Sequence, residues 1–327
     1  MTRAENKIFG ALYGVAVGDA MGGPLEFMDE SEIKRRHGYV ETMIGGGWLN
    51  LRPGEVTDDT QMTIAVADGI VRAVQRIYGK TVSGSDLYEK HIHLPDELFD
   101  EIIVAVGDEF ISWYNSNPKD IGNTCRVAIG MAIANMSKGM SDLDAWKHAA
   151  LQTDKSLHGR TGGNGSLMRT VYPALYFHHV GDATRAAMIQ SDITHASMEA
   201  SECCAQYTDM IHELLAKEPT EGLAWLRGRT YELSKGYMSR LNQSIVHPTG
   251  YVLDSFACAL RAVNSATSFR ESVCNAVNRG GDADTIGAIT GGLAGALWGY
   301  DEIPEEWIAA IDSKTRSKLD FLGRCAI

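Results

Sequence analysis

Apolar residues recur at helical spacing along most of the chain. Met62, Val66, Ile70, Val74 and Ile77 fall three or four residues apart, and Val127, Met131 and Ala134 continue the pattern in another segment. Further helical stretches cover 182–194, 197–217, 220–236, 251–265, 269–278, 286–299 and 305–312. No stretch alternates convincingly as a strand does. Pro219 and Pro304 stand at the edges of helical stretches, where a missing N–H costs nothing. The pattern predicts an all-α protein. Residues 83–100 are the most polar and least periodic, and read as a surface insertion in a single domain spanning 1–327.

Two glycine stripes interrupt this apolar pattern with a period of four. Gly10, Gly14 and Gly18 form the first; Gly287, Gly291, Gly295 and Gly299 form the second. A glycine inside a helix costs about 0.8–1 kcal/mol against alanine, so seven of them need a reason. A face without side chains lets two backbones approach closely. The first and last major helices are therefore expected to pack against each other, which would carry Asp19 and Glu26 towards the acidic run near residue 283.

Composition narrows the function classes. The 327 residues are 44% hydrophobic and 22% charged, ordinary for a globular protein, with no Pro/Ser-rich linker to divide them. The net charge of −12 argues against a general nucleic-acid surface, which needs a basic face. The six cysteines form no CxxC pair and sit among apolar residues, so buried free thiols are expected. Ile8–Val17 is apolar but flanked by Glu5 and Asp19, and the apolar run 286–300 is short for a membrane span. A cytoplasmic protein without membrane insertion is the expectation.

The chemistry lies in two acidic clusters. Thr57, Asp58, Asp59 and Thr60 make up the first; Asp282, Asp284 and Thr285, within Asp-Ala-Asp-Thr, make up the second. Each precedes an apolar helical run. Carboxylates packed this closely repel unless a cation neutralises them, and hard oxygen ligands suit magnesium, manganese or calcium. The alternative is that each residue merely caps a helix, but capping uses one oxygen per helix start and leaves two doublets unexplained.

Three further segments could bind a ligand. Residues 159–169, with Asn164, Gly165, Ser166, Leu167, Met168 and Arg169 at the end, form a glycine-rich turn able to present backbone N–H groups to phosphate. It lacks the ending of a Walker loop and the preceding strand of a dinucleotide fingerprint. In Asp120-Ile121-Gly122-Asn123-Thr124, either Asn123 or Thr124 could cap the next helix, leaving Asp120 for a substrate hydroxyl or water. His195 lies at a helix junction and is the strongest of ten histidines, ahead of His158. Tyr251 could stack on a base or simply begin a helix. No HExxH or Cys/His zinc spacing occurs.

Taken in order, these motifs resemble the ADP-ribosylglycohydrolase family over about residues 8–299. The carrying residues are GALYGVAVGDAMGGPLEF, VTDDTQM, DIGNTCR, GNGSLMR, THAS and GGDADTIGA. The resemblance implies a single compact orthogonal helical bundle with a binuclear magnesium or manganese centre. It implies Thr57, Asp58, Asp59, Asp282, Asp284 and Thr285 as metal ligands, with Asp58, Asp120, Asp284 and Glu26 catalytic. Asn123, Asn164–Arg169, His195 and Tyr251 would contact substrate, the loop at the diphosphate and His195 at the distal ribose and adenine.

The chemistry is consistent with that expectation. Glycosidic cleavage at a ribose passes through an oxocarbenium-like state that carboxylates stabilise. Two metals can chelate a ribose cis-diol and lower the pKa of a water. The leading expectation is a hydrolase that removes ADP-ribose from protein arginine. The alternatives are hydrolysis of another ADP-ribose linkage, such as a serine O-glycoside or a small metabolite, and an immunity protein that neutralises an ADP-ribosyltransferase partner.

Overall fold

The computed structural model describes residues 1–90, 94–236, 238–243 and 246–327. Among these are sixteen α-helices and three short 3-10 helices, with two isolated β-bridges and no strand. The all-α expectation holds. The chain groups into two compact units, one of residues 1–60 and 210–323, the other of residues 61–209 and 324–327.

The first unit is built around a helix pair. Arg3–Gly22 lies against Ala283–Trp298, and helices Val252–Asn264 and Phe269–Val277 pack onto the latter. A methyl group added at Gly14 would fall 2.0 Å from the Gly291 carbonyl oxygen; at Gly18, 1.9 Å from that of Gly287; at Gly295, 1.9 Å from that of Gly10. No Cβ survives at such distances. The two stripes therefore face each other residue by residue, as their spacing predicts. The contact runs one step further than expected, since a Cβ on Gly22 would lie 2.1 Å from the Ala283 oxygen. Backbones this close also bring Cα–H groups towards carbonyl oxygens, a weak attraction repeated along the seam.

Arg3–Leu25 is long and apolar enough to pass for a membrane span, and 94% of its apolar window is buried inside the protein. Thr2 and Glu5 form a reciprocal capping box at its start. Buried Lys7 donates to the Leu214 and Lys217 carbonyl oxygens, satisfying acceptors at the end of the Met198–Ala216 helix.

The second unit holds an aromatic core in which Phe99, Phe110, Trp146, Tyr172, Tyr176 and Phe177 are buried. Gly107 on helix Asp96–Asn115 makes room for Trp146, whose Nε1 would lie 2.0 Å from any Cβ there. The described part of the 83–100 segment carries regular structure that its sequence does not announce. Gly84–Lys90 is a helix with Leu87 buried, and Gly84 sits against the carbonyl oxygens of Tyr176 and Ala326. A helix of two turns anchored by one leucine has too few apolar positions to show a period. Residues 91–93 of that insertion lie outside the described residues. All six cysteines are free and buried.

The seam gives a paired test. Gly14→Ala should lower the melting temperature by several degrees, since overpacking costs about 1–3 kcal/mol and more against backbone. Gly228→Ala, in the helix Pro219–Ser234 with open space at its Cβ, should raise stability by about 0.8–1 kcal/mol. Thermal melts of both variants decide it; a Gly14→Ala protein as stable as the parent would show that the seam is not packed this tightly.

Candidate functional site

The glycine seam delivers one acidic group to its end. Asp19 is fully buried on the first helix and faces the start of helix Asp58–Tyr78. Its Oδ1 accepts from the Thr57 hydroxyl at 2.8 Å and the Thr57 N–H at 3.0 Å, and its Oδ2 accepts from the Thr60 N–H at 3.1 Å and the Thr60 hydroxyl. Asp19 thus supplies the N-terminal cap of this helix from another element. The first N–H groups of this helix are therefore met by Asp19, and Asp59 Oδ2 accepts from the Thr57 hydroxyl at 3.2 Å. In the second cluster, Asp282 occupies the N-cap position of helix Ala283–Trp298 without a side-chain capping bond.

A short backbone pairing aligns the remaining ligands. The Phe27 N–H donates to the Gly281 oxygen and the Gly281 N–H to the Met28 oxygen, both at 2.7 Å. Gly281 has φ +65°, and a Cβ there would strike the Pro248 oxygen at 2.0 Å, so only glycine fits this crossing. Glu26 and Asp282 flank the pairing. Oxygens of Glu26, Asp282 and Asp284 lie within 4.8 Å of one another. Glu26, Thr57, Asp58, Asp59, Asp284 and Thr285 are buried, and Asp282 is half-buried.

The electrostatics follow from this crowding. Burial raises Asp284 well above the usual carboxylate range, and the charges of Asp59, Asp282, Glu26 and Asp19 add to the shift. Asp59 is raised in the same way by burial and by Asp19, Asp58 and Asp282. Burial brings Asp19 to about 6 against the opposing bonds from Thr60 and Thr57. Six carboxylates in one unit act on each other, with threonine hydroxyls interleaved. That donor set could hold a hard divalent cation through oxygen.

The other predicted site residues fall as follows. Tyr251 begins helix Val252–Asn264, half-buried, with the Arg240 guanidinium 5.0 Å from its ring centre. Its neighbour Gly250 borders the acidic centre, since a Cβ there would be 3.4 Å from Asp282 Oδ2. In the second unit, Asp120 is half-buried and accepts from the Ile121 N–H at 2.7 Å; burial raises its pKa. Neither Asn123 nor Thr124 caps the next helix. Gly122 holds the N-cap position without a side-chain bond, and Asn123 is exposed as the first helical residue.

The glycine loop turns most of its side chains inwards. Leu167 and Met168 direct their N–H groups to the Asn164 oxygen, at 2.8 and 3.1 Å, which closes the turn on itself. The side chains of Ser166, Leu167 and Arg169 are fully buried, and those of Met168 and Asn164 nearly so. The accessible part is the backbone at Gly162, Gly163 and Gly165. An arginine after a glycine turn suggests an anion clamp, but Arg169 points inwards. It donates to the Gln190 side chain and backbone oxygen and to the Thr194 hydroxyl, each at 2.8 Å, and lies 4.4 Å over the Phe110 ring centre. Its partners come from elements remote in sequence, which is why no local signal showed this.

Arg169 also fixes His195. A guanidinium only donates, so the Thr194 hydroxyl accepts from Arg169 and turns its proton to His195 Nδ1, 2.7 Å away. By this network the imidazole carries its proton on Nε2, beside Gly165. Burial first, and then the Arg169 charge, lower its pKa to about 3.

A family model described as ADP-ribosylglycohydrolase matches residues 1–324. The chain belongs to the ADP-ribosylglycohydrolase family. Members hydrolyse ADP-ribose glycosidic linkages and generally use divalent metals. Among similar proteins, the ADP-ribosyl-[dinitrogen reductase] glycohydrolase of Rhodospirillum rubrum is 29% identical, covering 96% of this chain and 93% of its own. The ADP-ribosylarginine hydrolase Tri1 of Pseudomonas putida is 30% identical over 94% of this chain and 75% of its own. A solved ADP-ribosylglycohydrolase-related protein complex covers both chains fully with a TM-score of 0.71 at 25% identity.

Two measurements check this geometry. Carboxylates raised by burial keep protons that the unfolded chain releases, so folding binds protons and stability falls as pH rises from about 4 through 6. With chelator present, the melting temperature should drop between pH 5 and 7.5, and magnesium or manganese should restore it at pH 7.5. A chelated protein that melts higher at pH 7.5 contradicts the cluster's electrostatics. Separately, ¹⁵N NMR should find His195 neutral at pH 5 and protonated on Nε2, with Thr194→Val disturbing that tautomer. A His195 signal titrating near 6.5, or protonated on Nδ1, would contradict the Arg169–Thr194–His195 chain.

Proposed function

We propose that this protein removes ADP-ribose from arginine side chains of proteins, by hydrolysis of the N-glycosidic bond at the ribose. The observation that carries the reading is the convergence of Glu26, Asp282 and Asp284 at one end of the glycine seam. Likeness to relatives named for ADP-ribosylarginine and for dinitrogen reductase supports the arginine linkage.

We assign Thr57, Asp58, Asp59, Asp282, Asp284 and Thr285, with Glu26 beside them, to two divalent cations, magnesium or manganese. When bound, such cations supply Lewis-acid polarisation of the ribose oxygens. The remaining work is done by the chain. Asp19 keeps Thr57 and Thr60 in register, so the oxygens of the first cluster are set before substrate arrives. The carboxylates stabilise the positive charge that develops at the ribose carbon. Asp120 is the proton acceptor: a half-buried carboxyl with a raised pKa is better matched to neutral pH than an exposed one. A water oxygen bonds to the anomeric carbon and gives one proton to Asp120. The bond to the guanidine nitrogen breaks, and that nitrogen takes up the proton that Asp120 accepted from the water. Asn123, the accessible backbone of the 162–165 turn, His195 and Tyr251 are the proposed contacts to the rest of ADP-ribose.

The test is release of ADP-ribose from ADP-ribosylated arginine, with and without chelation. Asp58→Ala and Asp284→Ala should abolish turnover and lower manganese affinity while leaving the helical circular dichroism unchanged. Asp120→Asn should cut kcat by about 10²–10⁴-fold and leave ADP-ribose affinity near the parent's. Full activity in chelator would remove the metal assignment. Turnover of a serine-linked conjugate in preference to the arginine-linked one would move the protein to the other linkage class.

A further inference from the structure

Two large aromatic side chains stand in solvent beside the acidic centre. Phe27 is 70% exposed and Trp48 is 53% exposed, and their ring centres are 5.5 Å apart at 46°. Neither position is a chance surface residue. Phe27 has φ +63°, a conformation that costs a non-glycine residue about 1–3 kcal/mol. It is held there between two site residues, directly following Glu26 and donating its N–H to Gly281, the residue before Asp282.

Trp48 is held just as firmly. Gly46 and Leu51 exchange backbone hydrogen bonds of 2.7 and 2.8 Å, closing a tight loop with Trp48 at its tip. Gly47 and Asn50 in that loop both have positive φ. Gly47 also presses on Pro24, where a Cβ would meet the Pro24 Cα at 2.8 Å. The indole Nε1–H donates to Glu26 Oε2 at 2.5 Å. The strained backbone at Phe27 works against folding stability, and two solvated rings contribute little to it, so the pair is a candidate for a functional role.

The geometry points to a leaving-group platform: we propose that Phe27 and Trp48 stack on the planar guanidinium of ADP-ribosylated arginine as it emerges from the acidic centre. The claim rests on the arginine reading above and specifies how that linkage is recognised. The chemistry selects the occupant. Aromatic faces attract a cation, and the flat, weakly hydrated guanidinium stacks on them better than a compact ammonium. Glu26, tied to the Trp48 ring edge, adds negative charge on the same side. A serine-linked conjugate presents neither charge nor plane to such a surface. Phe27 and Trp48 are specificity residues here; they touch the departing side chain rather than the reacting carbon.

Three variants and one probe test this. Trp48→Ala should raise KM for ADP-ribosylarginine about 10-fold with kcat changed less than about 3-fold, while the inhibition constant of product ADP-ribose stays near the parent's. Trp48→Phe, which keeps a ring, should recover most of the loss. Phe27→Gly relieves the positive φ, so it should melt no lower than the parent and yet raise the same KM; a merely structural Phe27 would show the opposite pattern. Independently of turnover, agmatine added to the manganese-free protein should shift the Trp48 indole N–H resonance, identified by its absence in Trp48→Phe, and serine amide should not. An unmoved indole resonance, or an unchanged KM in Trp48→Ala and Phe27→Gly, overturns the platform. If agmatine shifts the resonance but arginine-linked substrate is not hydrolysed, the guanidinium platform stands as a binding surface and the arginine-hydrolase reading is what fails.

Discussion

Backbone-to-backbone contact along the glycine seam is the constraint on which the site depends. Gly10, Gly14, Gly18 and Gly22 meet Gly295, Gly291, Gly287 and Ala283 at distances that admit no side chain. A rigid seam of this kind fixes both axial register and rotation, since a shift by one residue would set a side chain against a carbonyl. Its end falls where helix Ala283–Trp298 begins, and there Asp284 enters the field of Asp19. Placing several like charges in a buried space is unfavourable, and a flexible frame would relieve it by moving them apart. This frame does not permit that relief. The consequence is a set of carboxylates whose pKa values are pushed upwards, and whose ionised forms a cation would stabilise.

Asp19 shows how structure and chemistry are divided among neighbouring acids. It takes over the capping that Asp58 and Asp59 would otherwise perform, and its four bonds to Thr57 and Thr60 hold the first cluster in place. Arg169 plays the corresponding role in the second unit. It is buried among Gln190, Thr194 and Phe110 and, through Thr194, dictates which nitrogen of His195 carries the proton. In both cases a buried charged residue holds a neighbouring group in place.

Much of this was legible in the sequence because the signals were periodic or paired. The helical spacing predicts the helices that are found, and the four-residue glycine period correctly predicts which helices meet. The two Asp–Thr clusters point to the acidic centre for a physical reason, too many carboxylates for capping alone. What was not legible depends on contacts between distant elements. Nothing around Arg169 announces Phe110 or Gln190. Nothing in Gly-Gly-Gly-Trp-Leu-Asn reveals that the indole meets Glu26, although three consecutive glycines do mark a backbone under unusual demands. Capping by Asn123 or Thr124, one of two readings that the sequence allows, does not occur because Gly122 holds the cap position, and the short helix at Gly84–Lys90 was too small to show a period.

The glycine seam, and not the acidic residues alone, sets the geometry of the acidic centre to which we assign the cations. This dependence is tested most directly by titrating manganese into Gly18→Ala at a temperature where circular dichroism shows the variant folded. Every carboxylate is retained in that protein, but a methyl group is forced against the Gly287 carbonyl near the acidic end of the seam. Manganese affinity is expected to be at least about 10-fold weaker than the parent's. Parental affinity in a folded Gly18→Ala protein would contradict this dependence.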